Sequence, residues 1–93
     1  NVTTLREACL LRFFFDSGCR LSEVAGVKAK DFDYDTGLVT VIGKGNKQRK
    51  APFTIATGEM LQEWFAEHDT FELSSEGISS FFRQIRTKDR YYL

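Results

Sequence analysis

Two stretches of the chain hold residues that could do chemistry on an anion. The first is Asp16-Ser-Gly-Cys-Arg-Leu-Ser-Glu23, which ends one apolar run, turns on Gly18 and starts another helix. It sets Arg20 at a helix N-terminus, with Glu23 one turn on. Free N–H groups and the partial positive charge of a helix start already favour an anion, and an arginine there adds a planar fork of donors. The plainer alternative is an exposed i,i+3 pair between Arg20 and Glu23, a common and weak contact. The second stretch is Gly43–Lys50, which carries Lys44, Lys47, Arg49 and Lys50 and no acid. Two glycines and Asn46 supply the positive φ of a tight turn, so Lys44 and Lys47 stand at a hairpin tip. That tip either contacts an anionic partner or is simply solvated.

Other candidate chemistries fail on spacing. Cys19, beside Arg20, would need a base to act as a nucleophile, and the lone histidine, His68, is far off in sequence. Cys9 sits in an apolar helical run and reads as a small core residue. Two cysteines make neither a disulfide framework nor a metal set. Asp31, Asp33 and Asp35 alternate with Phe32 and Tyr34 but lack the distant bidentate acid of a calcium loop. Glu59 and Glu63 read as the wet face of a helix. The Gly43–Lys47 loop is not a phosphate-binding P-loop, which leads through a longer glycine-rich turn to Lys-Ser/Thr and a helix. No metal and no cofactor is expected.

The elements that must hold these residues follow from periodicity and punctuation. Thr4 and Glu7 fit a capping box at the head of a first helix, which is apolar on most sides and so expected to be buried. Gly18 is its left-handed C-cap. A short second helix is predicted over about 21–27, then a polar connection over 28–36. Gly37–Ile42 is predicted as a strand by its β-branched content and Gln48–Phe53 as its return. A third helix is predicted from Thr57 to about His68, with Met60, Leu61, Trp64 and Phe65 as its buried stripe and His68 placed favourably for the helix dipole. Ser74 or Ser75 caps a fourth, with Ile78, Phe81, Phe82 and Ile85 on its core face. The fold class is α+β: about four helices with a small antiparallel hairpin or three-stranded sheet.

Composition fits one folded domain over 1–93. The chain has 93 residues, 42% of them apolar, with nine Phe, three Tyr, one Trp and a single Pro. Formal net charge is zero, which argues against a general polyanion-binding surface. The distribution is polarised: no Lys or Arg lies between Ala51 and Phe82, and Arg83, Arg86, Lys88 and Arg90 restore a basic end. No run is long enough to span a membrane and no secretory signal is present, so a cytoplasmic setting is expected.

Taken together, these stretches resemble the tyrosine recombinases, the phage integrases and Xer-type enzymes. Arg6-Glu7-Ala8 through Phe15 and then Ser17-Gly-Cys-Arg20-Leu-Ser-Glu23-Val is similar to that family's Arg-Asp-x-Ala, apolar helix, Thr-Gly-Leu-Arg-x-Ser-Glu-Leu. Asp31-Phe-Asp33 is similar to its Asp-Ile-Asp. Val41-Ile-Gly-Lys44-Gly-Asn-Lys-Gln-Arg49-Lys-Ala-Pro52 is similar to its Val-x-Gly-Lys-Gly-x-Lys-x-Arg-x-x-Pro hairpin. The resemblance covers nearly the whole chain, with the boxes in the family's order and spacing.

The resemblance implies that a tyrosine attacks a DNA phosphodiester, leaving a 3′-phosphotyrosyl link and a free 5′-hydroxyl, without metal. Arg20 would clamp the non-bridging oxygens, Lys44 would be the general acid for the leaving oxygen, and Glu23 would orient the site. Lys47, Arg49 and Lys50 would contact backbone phosphates of double-stranded DNA. The family's later residues, a His-x-x-Arg box, a His or Trp and the nucleophilic tyrosine, are not matched. His68 is followed by Asp-Thr-Phe, and Tyr91 and Tyr92 come too early. The chain thus corresponds to the N-terminal portion of a catalytic domain, is expected to be inactive alone, and is expected to self-associate through its Phe-rich helices. Two alternatives stay open: a DNA-binding module that has lost the chemistry, and an interaction domain whose basic hairpin meets an acidic partner.

Overall fold

In the computed structural model, residues 4–88 are described. The order is α1 (Leu5–Ser17), α2 (Leu21–Ala25), a 3₁₀ turn at Ala29–Asp31, β1 (Phe32–Asp33), β2 (Leu38–Ile42), β3 (Gln48–Pro52), α3 (Ile55–Phe65) and α4 (Ser75–Lys88). Among the described residues the fold is α+β, four helices with one antiparallel three-stranded sheet in the order β1-β2-β3.

The local signals explain where α1 begins and ends. The Thr4 hydroxyl accepts from the Glu7 N–H at 3.2 Å, and the Glu7 carboxylate accepts from the Thr4 N–H at 3.3 Å. At the other end Gly18 takes φ 66° and its N–H donates to the Phe14 carbonyl. A left-handed residue turns the chain sharply enough for Arg20 to start α2 two residues later. Contrary to the expectation of burial on most sides, α1 buries one stripe, Cys9, Leu10, Phe13 and Ser17, and leaves Phe15 58% exposed. The sheet and α3 pack on that stripe, Phe82 of α4 reaches Phe14 beside it, and Phe15 stays open on the outer side.

The sheet is set by its register. Val39 pairs with Ala51 and Val41 with Arg49, while Thr40 pairs with Lys50. Cross-strand partners share a face, so Val39, Val41 and Ala51 turn to the core and Lys50 turns away. Arg49 leaves the strand on the face of Val41. The connection over 28–36 holds more structure than its polar composition indicated: Phe32 pairs with Val39 as the third strand. Phe32 also centres an aromatic cluster, its ring 5.1–5.7 Å from those of Phe13, Phe53 and Phe65.

Helix α3 is shorter and starts earlier than its pattern indicated. Thr54 caps it, accepting from the Thr57 N–H, and the Asp16 carboxylate ties that cap to the end of α1 through the Thr54 N–H and hydroxyl, both at 2.9 Å. Its buried positions are Thr57, Gly58 and Leu61, with Met60, Trp64 and Phe65 packed partly buried beside them. His68 lies beyond the helix. There its ring stacks on Trp64 at 3.7 Å and meets the Glu72 carboxylate at 2.9 Å. The Trp64 indole N–H donates to the Thr70 carbonyl, which draws the chain off the helical path. Phe71, in the following connection, is wholly buried between Phe13 and Phe65. Helix α4 carries Ile78 fully buried, with Phe81 and Phe82 partly buried and Phe82 4.6 Å from Phe14. Ser74 accepts from the Gly77 N–H at its start. The side chains of Ile85 and Arg86, and Arg90, Tyr91 and Tyr92 altogether, lie outside what is described.

Candidate DNA-phosphate site

The site is built on the carboxylate of Glu23. Glu23 is the third residue of α2 and is 5% exposed. Its Oε1 accepts from the Arg20 backbone N–H at 2.9 Å, so the carboxylate closes the first turn of its own helix. The same oxygen accepts from Arg49 Nη2 at 2.8 Å, and Oε2 accepts from Arg49 Nε at 3.2 Å. This is a two-pronged guanidinium–carboxylate pair between α2 and β3. Hydrogen bonding to Arg49, then the Arg20 N–H, outweighs burial and holds the Glu23 carboxyl below its ordinary range. Glu23 in turn raises Arg49 above its already high value.

The expected alternative of an Arg20–Glu23 ion pair is not what forms. Glu23 takes the backbone of Arg20 and the side chain of Arg49, and the Arg20 side chain is exposed with no acid partner among the described residues. Register supplies the reason. Arg49 points to the body of the fold along with Val41, and a buried carboxylate there needs a cation more than an exposed one does. Nearly half of the Arg49 side chain remains open to solvent.

The hairpin tip projects beyond this pair. The Gly43 N–H donates to the Lys47 carbonyl at 2.8 Å, and the Asn46 N–H to the Gly43 carbonyl at 3.1 Å. Gly45 and Asn46 take φ 73° and 61°, the left-handed values that Gly and Asn adopt most readily. Lys44, Lys47 and Lys50 are exposed and form no ion pair among the described residues. The structure therefore joins two of the predicted features. The helix start bearing Arg20 and the root of the loop bearing Lys44 both border one carboxylate.

The remaining candidates fall elsewhere. Cys9 is wholly buried, donates to the Met60 carbonyl, and has its thiol pushed up to about 11 by burial and by Glu63. Cys19 is buried beside the α1–α2 turn, where its N–H donates to the Ser17 hydroxyl. His68 is engaged with Trp64 and Glu72. Sequence reasoning expected positive φ at Gly43, which instead takes φ −103° and packs against Glu23, and it missed the Arg49–Glu23 link. The signal available for the latter was the phase of Arg49 with Ala51 on the core face of β3.

Comparison with known proteins then decides the family. The profile of the phage integrase family matches residues 1–90. The chain belongs to that family. It is 47% identical over 60 residues to the tyrosine recombinase XerC of Xanthomonas campestris pv. campestris, covering 64% of this chain and 19% of that protein. Against XerC of Xylella fastidiosa it is 45% identical over 62 residues, 67% of this chain and 21% of the relative. Against XerC of Chlamydia muridarum it is 31% identical over 84 residues, 90% of this chain and 27% of the relative. The chain thus spans between about a fifth and a quarter of the length of the curated relatives it matches. Among the described residues no helix is long and apolar enough to cross a membrane, and no three His, Cys, Asp or Glu side chains group as a metal site.

Proposed function

We propose that this chain is the N-terminal portion of the catalytic domain of a site-specific DNA recombinase and contributes Arg20 and Lys44 to its active centre. The observation that carries the reading is the shared Glu23 carboxylate, which keeps the Arg20 helix start and the Lys44 loop side by side. In the reaction a tyrosine from a segment with no match here attacks the scissile phosphorus. The new bond is tyrosine O–P and the broken one is P–O5′. Negative charge grows on the non-bridging oxygens, and the planar Arg20 fork stabilises it with donors aimed at two oxygens. The departing 5′ oxygen needs a proton, and the Lys44 ammonium, on an exposed loop, gives it one. Lys47, Arg49 and Lys50 lie along backbone phosphates, adding affinity without reading sequence.

On this reading the partner is double-stranded DNA, reached in the cytoplasm and on the nucleoid. The chain alone does not cleave, because nothing in it matches the nucleophile or the His-x-x-Arg box. The exposed Phe15, with Phe14 and Phe82 beside it, gives the chain alone a face on which copies associate. The test is a nicked duplex that traps the covalent intermediate. The full-length protein should give a protein–DNA adduct, Arg20→Ala should lower its rate by at least about 100-fold, and the 93-residue chain should give none. An adduct formed by the chain alone, or unchanged in Arg20→Ala, would contradict the reading.

A further inference from the structure

We propose that Gly43 and Arg49 are positioning residues, which act through the Glu23 carboxylate to fix where Lys44 stands relative to Arg20. This rests on the reading of Lys44 and Arg20 above. The starting observation is steric. A Cβ placed on Gly43 would lie 2.8 Å from Glu23 Oε2, closer than such atoms approach in folded proteins. Gly43 has φ −103°, which any residue adopts, so its backbone does not call for glycine. The carboxylate beside it does.

The Glu23 end that would have to move is not loose. It is buried and holds three donors: the Arg20 N–H, Arg49 Nη2 and Arg49 Nε. The oxygen nearest Gly43 is the one bound to Arg49 Nε, at 3.2 Å. Pushing it away breaks that bond first and then disturbs the Arg20 cap. The loop transmits the displacement because it is closed on itself. Residue 43 bonds to Lys47 and Asn46, so Lys44, held between them, moves with it. Gly43, Glu23 and Arg49 thus form one fitted unit from three elements. A shift of about an ångström in a proton donor is enough to cost on the order of 100-fold in rate.

This role is separable from a phosphate contact. Arg49→Lys keeps the positive charge but loses the fork that meets both carboxylate oxygens. Gly43→Ala changes no charge at all. Both variants, with Lys47→Gln as the comparison, are assayed in the full-length protein at saturating nicked duplex. A second substrate carries sulfur in place of the leaving 5′ oxygen. A thiolate leaves without a proton, since a thiol ionises far more readily than an alcohol.

Gly43→Ala and Arg49→Lys should each slow cleavage of the oxygen substrate by about 10- to 100-fold, keep the wild-type salt dependence of DNA binding, and regain most of the lost rate on the sulfur substrate. Lys47→Gln should weaken binding and lower the salt slope by about 0.9. A general loss of structure would slow both substrates alike, so absence of recovery on sulfur overturns the inference. So does wild-type cleavage by Gly43→Ala and Arg49→Lys while Lys44→Ala is slow. If Lys44→Ala itself cleaves at the wild-type rate, the reading of Lys44 falls and this inference with it.

Discussion

Neutralising the hairpin lysines together, as K44Q/K47Q/K50Q, should change how DNA binding depends on salt more than it changes the fold. All three side chains are exposed and unpaired among the described residues, so each can displace a counterion from a phosphate. Each neutralised phosphate contributes about 0.9 to the slope of log affinity against log salt, so the triple variant should lose about 2.7 of slope. Between 50 and 200 mM salt, wild type should therefore lose about 40-fold more affinity than the variant. Fluorescence anisotropy with a duplex of arbitrary sequence reads this in the full-length protein, where the other DNA contacts cancel in the difference. Far-ultraviolet circular dichroism should be unchanged. Parallel salt dependences for the two proteins would refute the assignment of these lysines to DNA, and would favour a basic tip that meets an acidic protein surface.

Four further outcomes follow from the packing and the charges. Phe13→Ala removes a fully buried ring that packs on Phe32 and Phe71, and should cost about 3–5 kcal/mol in a denaturant titration. Gly18→Ala meets open space but must hold φ 66°, so it should cost about 1–2 kcal/mol by backbone strain alone. Glu23 is lowered from an ordinary value of 4.5 by Arg49 and the Arg20 N–H. Asp16 is raised by burial but lowered further by Thr57 and Thr54, to a net value below its ordinary 3.8. Groups lowered on folding add stability that is complete above the ordinary values and is lost as pH falls through the lowered ones. Denaturant midpoints should therefore drop in acid below about pH 4.5, and Glu23→Gln should flatten part of that drop. Finally, both cysteines should resist a thiol reagent at pH 8 in the folded protein and react on unfolding, Cys9 most slowly given its burial and a thiol pushed up to about 11.

The parts of the fold that were legible in the sequence are those fixed by near neighbours. Thr4 with Glu7, and Gly18, act within a few residues and form as their patterns indicate; the Gly43–Lys47 turn also closes locally, with Gly45 and Asn46 but not Gly43 at positive φ. The parts that were not legible depend on distant partners. Phe71 sits in a connection without periodicity, and only the convergence of Phe13 and Phe65 makes it a core residue. Trp64 and Thr70 end α3 early, through an indole hydrogen bond that no helical pattern encodes. Glu23 reads locally as the partner of Arg20. Its side-chain partner is Arg49, 26 residues away, because strand alternation points that cation inward. The functional boxes could be matched in sequence, but the link between them is a tertiary contact.

The sharpest test of the account assigns the two cations their separate tasks. Single-turnover cleavage by full-length Arg20→Ala and Lys44→Ala is compared on duplexes whose leaving 5′ atom is oxygen or sulfur. If Lys44 delivers the proton and Arg20 stabilises charge on the non-bridging oxygens, both variants are slow on oxygen, and sulfur restores Lys44→Ala alone. Restoration of both variants or of neither would contradict that division of roles.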